Sequence, residues 1–184
     1  MKQQDAPHPL ELVRQFINTH DLERGTDGLA TAAQAQQWMA EQRLVDRAER
    51  LTEPDRQRAV ALREALRSLA DANSPRVAQP DQAALGTIRD IIRGASVQLR
   101  FRADGTPDLA PEQDTGVSSA LGRLVAVVGL AAFDGTWRRL KICPAEGCRW
   151  AFYDHSKNRS GTWCQMAECG NRAKVRAFRD RRET

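Results

Sequence analysis

The sequence predicts an α+β fold, mainly α. A multihelical body carries one β-hairpin and is followed by a small C-terminal module, treble-clef or ribbon-like, made of a β-hairpin and a helix. Three observations lead there. Apolar residues recur at helical spacing over most of the first 133 positions, a short stretch at 97–101 alternates instead, and all four cysteines of the 184-residue chain lie after position 142.

The elements can be justified in order. Leu10, Val13, Phe16 and Ile17 share one helical face, and that helix should stop near Asn18-Thr19. Thr31 followed by Gln34 is a capping-box pattern, opening a helix with Ala35, Trp38 and Met39 inward. Thr52, Pro54 and Asp55 start another, with Ala59, Leu62, Leu66 and Leu69 on its apolar stripe and Arg56, Arg58, Arg63, Glu64 and Arg67 largely off it. Asn73-Ser74-Pro75 should end it. Pro80 and Asp81 open a helix through Leu85, Ile88, Ile91 and Ile92, which Gly94 is expected to close. Val97, Leu99 and Phe101 then alternate with Gln98, Arg100 and Arg102, the period of a half-buried strand, and Asp104-Gly105 marks a hairpin turn. The returning strand is limited by Pro107 and Pro111. Gly116 to Phe133 reads as the apolar central helix of the core, punctuated by Asp134-Gly135. These signals divide the chain into a body, residues 1–137, and a module, residues 138–184.

Composition bounds the function. A hydrophobic share of 41% and a charged share of 28% are ordinary for a soluble globular protein. No run of about 18 apolar residues is present; the most apolar stretch, Leu121 to Phe133, is short and interrupted by Arg123, so no membrane span is expected. The first ten residues lack the apolar core of a secretory signal, which points to a cytoplasmic protein with reduced thiols. The net charge of +4 hides an asymmetry: from Arg138 onward twelve Lys/Arg face five Asp/Glu, a net of +7, while the rest of the chain is at −3. Such a split suggests an anionic partner for the basic end. Six of the ten aromatic residues also fall in the last 48 positions, as a small core built from few residues requires.

The cysteines are spaced Cys143-x4-Cys148, fifteen residues, then Cys164-x4-Cys169. Two close pairs joined by a loop suit a tetrahedral thiolate site, each pair on a tight turn that aims two sulfurs at one point; Pro144 and Gly147 fit such a turn. One structural Zn2+ is the expected occupant. An iron–sulfur cluster, two disulfides, or His155 in place of one cysteine are the alternatives. Between the pairs, Arg149 to Asp154 and Thr162-Trp163 flank a polar turn, His155 to Gly161, in the manner of a β-hairpin. After Cys169 a helix is expected, anchored to that hairpin by Val175 and Phe178. It would carry Arg172, Arg176 and Arg179 on one basic stripe, with Lys174 and Arg181 beside it. With Arg149, Lys157 and Arg159 on the preceding segment, these residues are the candidate nucleic-acid contacts. The competing reading is that arginines near four thiolates neutralise their charge and the remainder are solvated. Trp150 and Trp163 are expected to pack the small core rather than stack on bases.

The run Cys143-x4-Cys148-Arg149-Trp150-x-Phe152-x-Asp154-x-Ser156-x-Asn158-Arg159-Ser160, followed by Trp163-Cys164-x-Met166-x2-Cys169-Gly170-Asn171-Arg172-x-Lys174, resembles the CGNR zinc finger, named for its Cys-Gly-Asn-Arg tetrapeptide. The upstream part resembles the ABATE domain that usually precedes this finger, through Asn18-Thr19 after an apolar helix, Trp38 in a second helix, and Ala61-Leu62-Arg63-Glu64-Ala65-Leu66-Arg67. The resemblance implies a bacterial stress-induced transcription regulator whose finger contacts DNA. The chain departs from the family in having Gly161-Thr162 where a pair of arginines often precedes Trp-Cys, so two phosphate contacts are missing. The leading expectation is a zinc-dependent DNA-binding regulator whose body senses a small-molecule effector or forms a homodimer; Asn18 and Thr19 mark a candidate ligand pocket. A zinc-stapled protein-interaction module with an acidic partner and a single-stranded RNA-binding protein are the other readings. No nucleophile–base pair or phosphate-binding glycine loop stands out, so no enzyme is expected.

Overall fold

Helix starts follow the side-chain caps. In the computed structural model, which describes residues 5–77 and 79–180, the Thr31 hydroxyl accepts from the Gln34 amide at 3.2 Å and opens α2 (Ala32–Glu41). Thr52 and Asp55 cap each other reciprocally at the start of α3 (Glu53–Asp71). The Asp81 carboxylate accepts from Ala83 to open α4 (Gln82–Ala95). Each cap satisfies an amide that the first helical turn leaves unpaired. Gly94, however, does not close α4. The helix continues to Ala95 and stops at Ser96, which takes φ 49° while Val97 N–H returns to the Ile92 carbonyl; a left-handed residue stops the helix there.

The remaining elements are α1 (Leu10–Ile17), β1 (His20–Asp21), β2 (Thr26–Asp27), β3 (Gln98–Phe101), β4 (Pro107–Ala110), α5 (Gly116–Phe133), β5 (Leu140–Ile142), β6 (Ala151–Tyr153) and α6 (Asn171–Asp180). The strands make three separate antiparallel pairs, β1–β2, β3–β4 and β5–β6. The body therefore carries one strand pair beyond the expected hairpin. With two residues per strand, β1–β2 is too short to leave an alternation; it is held by Gly25 at φ 66° and by the Asp27 carboxylate, which accepts from Leu29 N–H.

The core forms around α5, with Ala120, Leu121 and Leu124 fully buried against α1 and α4. α5 is long and apolar enough to cross a membrane by length and composition alone, longer than the apolar run suggested, but half of it is inside the protein. α1 contributes Leu10, Val13, Phe16 and Ile17; α2 contributes Ala35 and Met39, with Trp38 tilted against Phe16 at 5.4 Å. The β3–β4 hairpin departs from expectation: Leu99 and Phe101 are 59% and 69% exposed, because β4 rather than β3 packs on α5.

α3 departs furthest from its binary pattern. Ala59, Leu62, Leu66 and Ala70 face inward, but Arg63 and Arg67, expected off the stripe, are buried as well. Arg63 forks onto Asp27 at 2.6 and 3.0 Å. Arg67 donates to the carbonyls of Ile17 and Arg149, both at 2.7 Å, and pairs with Glu64. Burial lowers its pKa, and Glu64 works in the opposite sense. These cations are tolerated inside because each donor meets an acceptor.

Through these groups the body grips β5 and β6, which follow residue 137 yet belong to the same apolar core: Leu140, Ile142 and Ala151 are fully buried with the residues of α1 and α3. The Asn18 amide pairs with both backbone groups of Ala151, at 2.8 and 2.9 Å, as a further strand would. Asn73 donates to the carbonyls of Trp137 and Leu140, and Arg76 to that of Ile142. Arg67→Met should therefore leave two inward-facing carbonyls unpaired and cost about 3 kcal/mol; urea unfolding of the zinc-loaded chain would measure it, and a change below 1 kcal/mol would remove the assigned role.

Candidate metal centre

The first cysteine pair is built into the β5–β6 connection. Cys143 follows β5 directly and closes the ladder, its N–H bonding the Trp150 carbonyl at 2.9 Å. The chain then turns tightly, with Cys148 N–H and Arg149 N–H both returning to the Ala145 carbonyl, and Arg149 at φ 52° sends it into β6. The second pair comes from the other side. Cys164 lies on an irregular segment after Trp163, and Cys169 sits in a π-turn, Met166–Gly170, that runs into α6.

All four sulfurs lie within 4.8 Å of one another, with Cys148–Cys164 at 3.6 Å and Cys164–Cys169 at 3.7 Å. A tetrahedral zinc with bonds of ~2.3 Å spaces its sulfurs by about 3.8 Å, so the cluster is positioned to bind one zinc ion. Disulfides, which need sulfurs at ~2.05 Å, are not formed; all four thiols are free. His155 is not a ligand: its ring stands edge-on to Tyr153 and its Nε2 meets the Asp5 carbonyl. Thiol hydrogen bonds from Cys148 and Cys164 hold the Cys143 pKa down to about 2, and the Cys148 thiol, engaged by Cys143, is pushed up to about 12. A second negative charge is thus disfavoured unless a cation is present. Four protein ligands leave no position open for water, the arrangement of a structural site.

The Cys-Gly-Asn-Arg tetrapeptide has a mechanical account. Cys169 supplies a sulfur. A Cβ on Gly170 would run into Met166 Sδ and lie 3.3 Å from the Trp163 ring, so any larger residue there needs the Met166 side chain to move aside. The Asn171 amide donates to the Ala167 carbonyl at 3.0 Å and ties the turn to α6. Arg172 donates to Cys169 Sγ at 3.1 Å and pairs with Glu23 of the β1–β2 connection at 2.8 Å. The sulfur and then Glu23 raise its pKa, and its cation offsets part of the thiolate charge.

The hairpin expected around His155–Gly161 is replaced by a loop folded on one buried carboxylate. Asp154 accepts from Ser156 N–H, Gly161 N–H and the Lys141 ammonium, at 2.8–2.9 Å. Lys141 also donates to the carbonyls of Arg159 and Gly161. A Cβ at Gly161 would stand 2.7 Å from Asp154 Oδ1. β6 therefore pairs with β5 and not with the segment at Thr162-Trp163, because the loop's polar groups are satisfied within it. Although burial opposes ionisation, the Lys141 and Ser156 hydrogen bonds hold the Asp154 pKa at about 2.

The candidate nucleic-acid residues divide into two groups. Arg149 pairs with Asp71 at 2.8 Å, on the carboxylate that also holds Arg76, and Arg172 is engaged as described. Lys157, Arg159, Lys174, Arg176 and Arg179 are exposed, and among the described residues none of them is in an ion pair. Val175 and Phe178, expected to anchor α6 to the hairpin, stand largely at the surface. They are 50% and 55% exposed, because α6 leaves the site through the π-turn and packs mainly on it. Arg181, expected beside Lys174, lies outside the described residues. Asn18 and Thr19 are occupied by internal contacts: Asn18 docks on β6, and the Thr19 hydroxyl bonds the Phe16 carbonyl and faces Arg63. The residues the sequence did not point to are Asp71, Asn73, Arg76, Lys141 and Glu23; Arg63 and Arg67, four apart beside the apolar stripe, were the one visible hint.

Fold and site together define a helical body whose core extends into a finger closed by four cysteines. Residues 10–135 match the ABATE family, described as "Putative stress-induced transcription regulator", and residues 139–182 match the CGNR zinc finger. The chain belongs to the ABATE family and carries a CGNR zinc finger at its C-terminal end. No curated protein is similar enough to the chain to match it.

Two outcomes follow. The purified chain should hold one zinc, and Cys164→Ser should lose it. Hydrogen exchange should then rise across residues 163–180 while β5 and β6 stay protected by the body; a protected α6 without metal would contradict the staple. Asp154→Asn should cost roughly 3–5 kcal/mol at pH 7, since it leaves Lys141 buried without its counter-charge. Because the Asp154 pKa is depressed in the folded state, its stabilisation is present above pH ~4 and lost as pH falls through about 2. The stability difference between the two proteins should narrow across that window.

Proposed function

We propose that the protein is a DNA-binding transcription regulator in which the zinc-closed finger presents α6 to the phosphate backbone. The carrying observation is the set of exposed cations gathered on α6 and the loop beside it. Many body arginines, among them Arg14, Arg56, Arg63 and Arg67, are committed to carboxylates of their own domain. Lys174, Arg176 and Arg179 extend from a rigid metal site with no ion-pair partner among the described residues. Lys157 and Arg159 add two exposed cations on the neighbouring loop. A cation-bearing helix fixed at its first turn can contact phosphates with little loss of freedom on binding. Charge compensation of the thiolates accounts for Arg172 but for none of these five.

The body acts in this reading as the platform that fixes the finger, and as the part that would carry a dimer contact or an effector. The site is a scaffold, and the protein a binding protein rather than an enzyme, acting in the cytoplasm, where free thiols persist. Single-stranded RNA recognition by stacking on Trp150 or Tyr153 is less well supported: Tyr153 is buried, and Trp150 packs against the cysteines. An acidic protein partner would use the same cations, and salt dependence with duplex DNA separates the two.

Zinc-loaded protein titrated with a random-sequence duplex should show log K falling with log[salt] at a slope of about −3 or steeper, if at least three cations displace counterions. The variant with Lys174, Arg176 and Arg179 all changed to Ala should flatten that slope by roughly 3 while keeping its zinc. A flat response of the wild-type chain would sink the DNA reading and favour the acidic-partner one.

A further inference from the structure

A cavity of about 380 Å³ opens beside the metal centre, between the Cys143–Cys148 turn and the first turns of α6. It has room for roughly a dozen waters, more than a bare inorganic anion fills. Pro144, Gly147 and Ala173 line it, the ligands Cys148 and Cys169 border it, and Trp163, half-buried against the cysteines, shows part of its ring to it. The guanidinium-bearing residues Arg172 and Arg176 border it, with Glu146 the single acid. Arg172 is already held by Cys169 and Glu23, which fixes its position. Arg176 has no ion-pair partner among the described residues. Space remains at the knuckle wall, since a Cβ on Gly147 would meet nothing within 4 Å.

The geometry points to this cavity as a binding site for a single nucleotide unit, its base against Trp163 and its phosphate on Arg176. The size and the apolar walls call for an organic ring rather than an ion alone. The aromatic surface suits a planar heterocycle, which stacks on tryptophan irrespective of base identity. The Arg176 guanidinium supplies the forked donor that phosphate takes. The walls are joined through the cysteine cluster, because one is the knuckle and the other the helix leaving Cys169. The inference rests on the nucleic-acid reading for its choice of ligand class and adds that one unstacked nucleotide, within a strand or free, is gripped beside the metal.

The test is amide and indole NMR of the zinc-loaded full chain, with deoxynucleoside 5′-monophosphates, a single-stranded octanucleotide, a duplex and inorganic phosphate as probes. The Trp163 indole N–H and the Gly147 amide should shift saturably with the octanucleotide, and inorganic phosphate should leave the indole unmoved. Saturation by the monophosphates as well identifies the nucleotide unit as sufficient; shifts with the strand alone identify a strand-borne nucleotide. Ala173→Leu, which fills the cavity without removing a charge or a ligand, should keep its zinc and weaken these shifts at least ten-fold. Arg176→Gln should weaken binding of phosphate-bearing probes and not of a nucleoside. Shifts equal in wild type and Ala173→Leu, or no indole shift with any nucleotide probe, would overturn the site. Duplex binding with a steep salt slope that Ala173→Leu leaves intact, without an indole shift, would overturn the pocket and leave the DNA reading standing. Indole shifts by nucleotides with a flat duplex response would do the reverse.

Discussion

Arg67 reaches from α3 to the Ile17 carbonyl at the end of α1 and to the Arg149 carbonyl at the end of the zinc knuckle, so one guanidinium joins the body to the finger. The rest of the assembly depends on that junction. Asp71, one turn further along α3, holds Arg149 and Arg76, and Arg76 and Asn73 take the carbonyls of β5. The strands that carry the first two cysteines are thereby fixed to the hydrophobic core before any metal binds. Zinc then has less chain to order than in an isolated finger: it must recruit Cys164 and Cys169 and close the π-turn, not build the whole module.

This arrangement separates two uses of positive charge. In the body, Arg14, Arg63 and Arg67 are structural cross-links, desolvated and matched to carboxylates or carbonyls. In the finger, one arginine turns inward to the metal ligand and is steadied by Glu23, while the cations further along α6 face water. The net charge of the C-terminal segment is therefore a poor guide to which residues can meet a phosphate. Arg149 and Arg172 contribute to that charge and are already engaged, whereas Arg176 and Arg179 are in no ion pair among the described residues.

Much of this was legible in the chain. The caps at Thr31, Thr52 and Asp81, the hairpin turn at Asp104-Gly105, the core helix from Gly116 and the four ligands all depend on short-range chemistry: a side chain bonding its own helix end, a glycine accepting positive φ, a pair of thiols on a turn. Where local signals misled, the cause was a neighbouring residue once and a distant partner twice. Gly94 reads as a helix stop, yet Ser96 makes the stop. Leu99 and Phe101 read as a buried face, yet β4 takes the contact with α5. Thr162-Trp163 reads as a strand, yet Asp154 and Lys141 gather the loop before it into a separate unit.

What the sequence determined by itself is the metal: two cysteine pairs at four-residue spacing in a basic, aromatic-rich segment allow few outcomes other than a closed thiolate site. What only the tertiary structure decided is how that site is mounted and which of its cations stay free. Arg63, Arg67, Asn18, Asp71 and Glu23 are polar residues that a one-dimensional pattern assigns to the surface. Their partners lie between 36 and 149 positions away in the chain. The partner a polar side chain meets is set by the tertiary fold, and no local period carries that information.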